Sequence, residues 1–107
     1  MELSVKQRLH LESVLLTFTE GKYEQLKAKK SALEKMSFST EELQEIEFKT
    51  EQQNGGLIYK WNSEKENTKE IDFIELEKTL IKDILSKMEM ESRLSEQLID
   101  LYELFII

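Results

Sequence analysis

The sequence predicts a mainly helical α+β fold, in which four to five helices pack with one β-hairpin. Apolar residues recur at helical spacing along most of the chain, whereas they alternate with polar residues on both sides of Asn54-Gly55. The chain contains no proline and only three glycines, which favours long helices because few residues force a break. Its 107 residues suffice for one core but not for two, so we expect a single domain over residues 1–107.

Two helices are expected within residues 4–36. Ser4 and Gln7 have the spacing of a capping box, in which the two side chains satisfy backbone donors of the first turn. Gly21 then interrupts the helical pattern: either it ends the first helix in a left-handed conformation, or Thr19 caps the start of the second. One side of the second helix is expected to carry Tyr23, Leu26, Lys30 and Leu33.

A short helix is expected over residues 39–45. Ser39 and Glu42 repeat the capping-box spacing, and Phe38 and Leu43 stand at the two positions of a hydrophobic staple. Acidic residues in the first turn also suit the positive end of the helix dipole. This helix must be short, because an alternating pattern replaces the helical one directly after it.

A β-hairpin is expected over residues 46–62. Asn54-Gly55 lies at its centre, and this dipeptide readily adopts the positive φ angles of a tight hairpin turn. One face of the hairpin should carry Ile46, Phe48, Thr50, Leu57, Tyr59 and Trp61. A hairpin alone is marginally stable in water, so we interpret the alternation at Ile71 and Phe73 as a candidate third short strand.

Two further helices are expected over residues 74–88 and 95–106. The first carries an apolar stripe of the kind that faces a core, and Ser95 is placed to cap the second. We expect the hairpin to pack against both helices. The residues in contact should be Ile46, Phe48, Tyr59 and Trp61 on the hairpin, and Leu80, Ile84, Leu98 and Leu101 on the helices.

Charge and composition narrow the classes of function. Residues 1–36 hold seven Lys and Arg against five Asp and Glu, whereas residues 37–107 hold eight against seventeen. The net charge of −7 repels phosphate backbones, so direct nucleic-acid binding is disfavoured. The absence of cysteine excludes disulfides and thiolate chemistry, and it fits a reducing cytoplasm. We see no signal peptide and no stretch near the ~20 apolar residues of a membrane span.

No pattern in the sequence indicates catalysis, a metal site or a cofactor. His10 is the only histidine, and a catalytic or metal-binding histidine needs partners that the sequence does not offer. The oxygen-rich residues 62–72 lack the spacing of a calcium loop, and Asn54-Gly55-Gly56 lacks a phosphate-binding motif around it. We therefore expect a protein that is not an enzyme, with no catalytic residue, no metal and no bound cofactor.

Two groups of apolar residues are candidates for a protein interface. Tyr59 and Trp61 share one face of the predicted hairpin, where aromatic side chains either fill the core or anchor an interface. The sequence ends on four apolar residues, Leu104, Phe105, Ile106 and Ile107. These residues either tuck beneath the hairpin or insert into a partner subunit. We favour the subunit contact, and hence a homo-oligomer.

Short segments spread over most of the chain carry a resemblance to a known class of protein. The segments are Leu3-Ser4-Val5 with Arg8-Leu9, Phe38-Ser39 with Glu41-Glu42, Lys60-Trp61-Asn62, and Leu101-Tyr102-Glu103. Together they resemble small uncharacterised proteins of tailed phages and prophages of Gram-positive bacteria. The resemblance implies a small phage-encoded protein in the host cytoplasm, and it implies no catalytic residue.

Three hypotheses from different classes of function follow. The first is a non-enzymatic accessory protein that acts by binding another protein or a second copy of itself. The second is a nucleic-acid-associated regulator that uses the lysines of residues 22–35, or an acidic mimic of DNA that inhibits a host protein. The third is an enzyme, which would require a pocket holding two or more carboxylates. We favour the first, because the chain is acidic and its sequence offers no active site.

Overall fold

The computed structural model describes residues 1–65 and 68–107. Within these ranges the chain forms five α-helices and two small antiparallel sheets, so the predicted mainly helical α+β fold is confirmed. In chain order the elements are β1 (Glu2–Leu3), α1 (Val5–Leu16), α2 (Tyr23–Met36), α3 (Thr40–Glu45), β2 (Lys49–Gln53), β3 (Gly56–Lys60), β4 (Lys69–Glu70), α4 (Glu75–Met90) and α5 (Ile99–Phe105). Single turns of 3-10 helix occupy Ser63–Lys65 and Glu96–Leu98.

The first sheet joins β1 to β4, with Leu3 opposite Lys69. The sequence placed a third strand at Ile71 and Phe73, beside the hairpin, and the structure corrects this expectation. The strand ends at Glu70 and pairs with β1. Ile71 and Phe73 follow the strand and are buried in the core.

α1 begins as predicted but ends differently. Ser4 Oγ accepts a hydrogen bond from the Gln7 N–H (3.1 Å), and Gln7 Oε1 accepts one from the Ser4 N–H (2.9 Å), which completes the capping box. The helix ends at Leu16, and Gly21 does not adopt the left-handed conformation of a helix cap. A Cβ at Gly21 would collide with the ring of Phe18, so a side chain at this position would require that ring to move.

α2 turns a different face to the core from the one its sequence suggested. It begins after Lys22 rather than Thr19. Tyr23, expected on the apolar side, is 76% exposed. The buried residues of the helix are Ala28, Ala32 and Met36. The two alanines let α2 pack closely against α4, and larger side chains would hold the two helices apart.

Four helices, α1, α2, α4 and α5, contribute to one hydrophobic core. Its buried members are Leu3, Leu11, Val14, Leu15, Ala28, Ala32, Met36, Ile71, Phe73, Leu80, Ile81, Ile84, Leu85, Met88, Leu101 and Phe105. α4 begins one residue later than expected and extends two residues further, to Met90. The last helix was expected over residues 95–106, and it opens with the 3-10 turn before continuing as α5.

α3 ends in a left-handed residue that directs the chain into β2. The Phe48 N–H donates to the Leu43 carbonyl (2.9 Å) and the Glu47 N–H donates to the Gln44 carbonyl (3.2 Å). These two bonds form a Schellman motif. Glu47 has φ 56°, so it occupies the position of this motif that usually holds glycine.

The second sheet, β2 with β3, is the predicted hairpin, and we call it, together with the flanking residues Phe48 and Trp61, the ribbon. Its turn residues Asn54 and Gly55 have φ angles of 49° and 81°, as the dipeptide predicted. Thr50 pairs with Tyr59, and Gln52 pairs with Leu57. Directly opposed residues share a face of a sheet, so Thr50, Leu57 and Tyr59 share a face as predicted. The strands cover residues 49–60 rather than 46–62, and Ile46, which was expected on the same face, instead ends α3 and is buried.

The ribbon lies outside the core, so its expected packing against α4 and α5 is wrong. Every residue of β2 and β3 is exposed. Of the helix residues expected beneath the ribbon, Leu80, Ile84 and Leu101 belong to the helical core and Leu98 packs against it, partly buried. This core cluster contains none of Ile46, Phe48, Tyr59 and Trp61. Leu3, Ile71 and Phe73 fill that core instead. β1 and the segment that follows β4 therefore take the place that the sequence assigned to the ribbon.

Candidate interaction surface

The base of the ribbon is fixed by a small polar cluster. The Asn62 N–H donates to the Ile46 carbonyl (2.7 Å), and the Asn62 side chain donates to Glu47 Oε1 (3.3 Å). Lys65 Nζ lies 2.8 Å from the same carboxylate oxygen. The hydrogen bonds from Lys65 and Asn62 lower the pKa of Glu47 below its ordinary value. The cluster joins the strand entering the ribbon to the chain leaving it.

Stacked aromatic rings hold one face of the ribbon together. The ring centroid of Phe48 lies 6.3 Å from Phe38, 5.7 Å from Tyr59 and 6.4 Å from Trp61, with interplanar angles of 14–26°. Offset stacking at such distances is favourable. The guanidinium of Arg8 lies 3.7 Å from the centroid of the Phe38 ring. The aromatic residues thus fasten the ribbon to the helices without entering the core.

This face of the ribbon is apolar yet open to solvent. It carries Phe48, Thr50, Gln52, Leu57, Tyr59 and Trp61, and we call it the ribbon face. Leu57 is 62% exposed and Tyr59 is 48% exposed. Large apolar groups left together on a surface are typical of interaction sites.

A groove of about 510 Å³ runs between the ribbon and α1, and we call it the ribbon groove. Leu57, Tyr59 and Trp61 line one side. Leu9 and Leu16 line the other, and Leu16 is 53% exposed. The groove therefore presents apolar side chains from two elements that are fixed relative to each other by the aromatic stack.

The predicted interface residues near the end of the sequence do not lie together with Tyr59 and Trp61 in this surface. Phe105 belongs to the helical core, where its ring centroid lies 6.3 Å from that of Phe73, and not beneath the ribbon. Ile106 packs partly against the core, whereas Ile107 is 90% exposed.

The lysines of α2 are partly engaged inside the protein. Lys29 Nζ donates to the Phe18 carbonyl (2.7 Å). Lys35 Nζ donates to the Asp72 carbonyl (3.0 Å) and to Glu77 Oε1 (2.6 Å). These two lysines therefore serve to join α2 to neighbouring segments.

Two buried ionisable residues were not found from the sequence. Arg8 is 1% exposed and Glu77 is 0% exposed. Burial raises the pKa of Glu77, but hydrogen bonds from Lys35, Ser31 and the Ile74 N–H outweigh it and leave the pKa below its ordinary value. Each residue stands at a core position of its helix. A charged residue within an apolar stripe is therefore the sequence signal that could have predicted their burial.

His10 lines the ribbon groove and is half-buried. Within residues 1–65 and 68–107, no three His, Asp or Glu side chains form a group that could hold a metal ion. Over the same ranges, no helix has both the length and the apolar character needed to cross a bilayer.

Comparison of the chain with protein-family models, curated proteins and solved structures gave no match. The ribbon groove is therefore interpreted from its own geometry.

Proposed function

We propose that this protein is a non-enzymatic accessory protein that binds another protein chain through the ribbon groove. The observation that supports the proposal is the exposure of the ribbon face. In a small domain an apolar strand face normally covers the core, whereas here Leu57 and Tyr59 are turned to solvent beside the open side of α1. The resemblance of segments such as Lys60-Trp61-Asn62 to phage proteins supports a phage or prophage origin.

The ribbon groove has the features of a protein-binding site. Tyr59 and Trp61 belong to the aromatic stack, so little conformational freedom remains for them to lose on binding. Aromatic side chains of this kind dominate binding energy in protein interfaces. A bound chain would cover Leu57 and Leu16, which are both more than half exposed, and would gain hydrophobic free energy in proportion to the area covered.

The test is capture of a binding partner by matched variants. The wild type, Tyr59→Ser and Ile99→Ser are immobilised at equal density and exposed to lysate of the source organism, and light scattering reports self-association in parallel. Ile99 is a suitable control because it is an apolar side chain of similar exposure, 44% against 48%, on α5.

We expect the wild type and Ile99→Ser to bind the same protein, or to self-associate equally. Tyr59→Ser should bind at least ~10-fold less tightly, as for loss of an interface anchor. Equal binding by Tyr59→Ser would contradict the proposal. So would a wild type that stays monomeric and retains no protein beyond the blank surface.

A further inference from the structure

The outer edge of β3 carries backbone groups that the ribbon does not use. Gln53 and Gly56 flank the two-residue turn and form the hydrogen-bonded pair that closes it. Hydrogen-bonded and non-hydrogen-bonded pairs alternate along an antiparallel ladder. The N–H and C=O groups of Leu57 and Tyr59 therefore point away from β2. In the part of the chain that the structure describes, no backbone hydrogen bond outside the ribbon reaches these groups.

The same residues supply the edge and the ribbon face. Leu57 and Tyr59 line the ribbon groove, and their outward backbone groups lie on the free edge of the same strand. An extended strand laid against β3 would satisfy the backbone groups and cover the side chains at once. This is the geometry of strand addition to an open sheet edge.

The charge of β3 favours a second copy of this chain as the added strand. The chain carries a net charge of −7, so two copies repel each other over most of their surfaces. β3 contains no acidic residue, and its one charged residue, Lys60, is paired with Glu51 of β2 (2.9 Å). Two β3 edges can therefore meet without bringing carboxylates together on the pairing strands.

We infer that two copies associate by antiparallel pairing of β3 with β3 across a two-fold axis at Ile58. This inference rests on the proposed function and names its partner. In this register Leu57 of each copy lies opposite Tyr59 of the other, so all the outward backbone groups of Leu57 and Tyr59 are paired. The two ribbons become one four-stranded antiparallel sheet, which is more stable than an isolated ribbon. The contact is self-complementary, as two-fold symmetry requires.

The association is expected to be weak. Stable protein interfaces bury roughly 1,200–2,000 Å² in total, and the edges of two five-residue strands with their side chains lie at the lower end of interface sizes. We therefore expect a dimer that is seen only when the protein concentration is raised.

A cysteine cross-link tests the register. The 107-residue sequence has no cysteine, so Ile58→Cys carries a single thiol. At the two-fold axis two copies of residue 58 form a non-hydrogen-bonded pair with Cα atoms about 4.5 Å apart, which lies within the roughly 4.4–6.8 Å that a disulfide spans. Glu51→Cys is the matched control, because Glu51 is the cross-strand neighbour of Ile58 on the far strand.

We expect Ile58→Cys to form a disulfide-linked dimer under mild oxidation at least tenfold faster than Glu51→Cys. Equal rates for the two variants would overturn the inference, because random collision would then explain both. Sedimentation of the reduced proteins provides the non-covalent comparison, in which Glu51→Cys should show the association of the wild type.

Proline substitution tests the backbone pairing independently. Leu57→Pro removes an outward N–H from the free edge of β3. Gln52 is the cross-strand partner of Leu57, and Gln52→Pro removes an outward N–H from the opposite edge of the ribbon, on β2. Leu57→Pro should weaken self-association at least tenfold, and Gln52→Pro should leave it unchanged. Trp61 fluorescence verifies that the ribbon is intact in both variants. Equal association of the two proline variants would overturn the inference.

The two proposals fail in different ways. If the wild type does not self-associate but retains a different protein that Tyr59→Ser loses, the β3 dimer is wrong and the binding function stands. If neither self-association nor Tyr59-dependent capture is found, both are wrong.

Discussion

The guanidinium of Arg8 binds the carboxylate of Glu42 through two parallel hydrogen bonds, of 2.5 and 3.1 Å. The Arg8 side chain is fully buried, and its remaining donors bind the carbonyls of Met36 and Ser37 at 2.8–3.2 Å. One side chain of α1 thus donates hydrogen bonds to the carbonyls at the end of α2 and binds a carboxylate in the first turn of α3. The predicted capping box requires two hydrogen bonds, one from the Glu42 N–H to Ser39 Oγ and one from the Ser39 N–H to the Glu42 carboxylate. Only the first forms (3.1 Å). The buried cation takes the carboxylate because charge-assisted, bidentate bonds are the stronger ones.

Replacement of Arg8 should destabilise the protein strongly. Arg8→Met leaves the Glu42 carboxylate and two carbonyls without their donor, and breaking a buried pair in this way costs about 3–5 kcal/mol. Urea unfolding at neutral pH measures the loss. Arg93→Met is the control, because Arg93 pairs with Glu91 at the surface and should cost less than about 1 kcal/mol. Similar losses for both variants would show that Arg8 does not join the three helices.

The Glu77 carboxylate should make stability depend on pH. Its pKa in the folded protein is lowered from 4.5, so its contribution is complete above that ordinary value and is lost as the pH falls through the folded value. The free energy of unfolding of the wild type minus that of Glu77→Gln should therefore be constant from pH 7 to about 5 and then decrease. Denaturant midpoints across this range measure the difference. A difference that grows on acidification would contradict the assigned direction of the pKa shift.

A glycine at position 92 should stabilise the protein. Ser92 has φ 56°, and it follows α4 in a second Schellman motif, in which the Arg93 N–H donates to the Met88 carbonyl (2.8 Å). A left-handed conformation costs an L-residue roughly 1–2 kcal/mol and costs glycine little. Ser92→Gly should raise the melting temperature by about 4–8 °C per kcal/mol gained. Ser92→Ala keeps the Cβ and should give no increase, so a rise in both variants would refute this explanation.

The ribbon should unfold separately from the helices. It shares no residue with the core cluster, and Phe48 is the ring that joins Phe38, Tyr59 and Trp61. Phe48→Ala should therefore move the unfolding transition seen by Trp61 fluorescence to lower denaturant, as expected of a locally opening unit. The transition seen by far-UV circular dichroism of the helices should move much less. Trp61 is the only tryptophan of the chain, so its emission reports on the base of the ribbon, where it stacks with Phe48. Coincident shifts of the two transitions would place the ribbon within the same cooperative unit as the core.

Local patterns in the sequence predicted the elements and failed on how they pack. Ser4 with Gln7 and Asn54-Gly55 act within a few residues, so both the first cap and the ribbon turn were visible. The pairing of β1 with β4 was not visible, because each strand has two residues and the two lie far apart in the chain. Non-local contacts of this kind leave no periodicity to read.

For the candidate site too, the sequence predicted the local pattern of the residues but not how they pack. Alternation around Tyr59 and Trp61 predicted that they share a face with Leu57, but not that this face is open to solvent. That outcome depends on Ile71 and Phe73, which fill the core from a short segment between two regular elements. Phe105 was a candidate for the interface because it belongs to the apolar run Leu104–Ile107, but it is a core residue whose ring lies beside that of Phe73.

The exposure of every residue in β2 and β3 has an evolutionary consequence. Substitutions on these strands change what the protein presents while leaving the helical core intact, because surface replacements away from buried features usually alter stability by less than about 0.5 kcal/mol. The two strands can therefore accept substitutions that core positions such as Leu80 and Ile81 cannot.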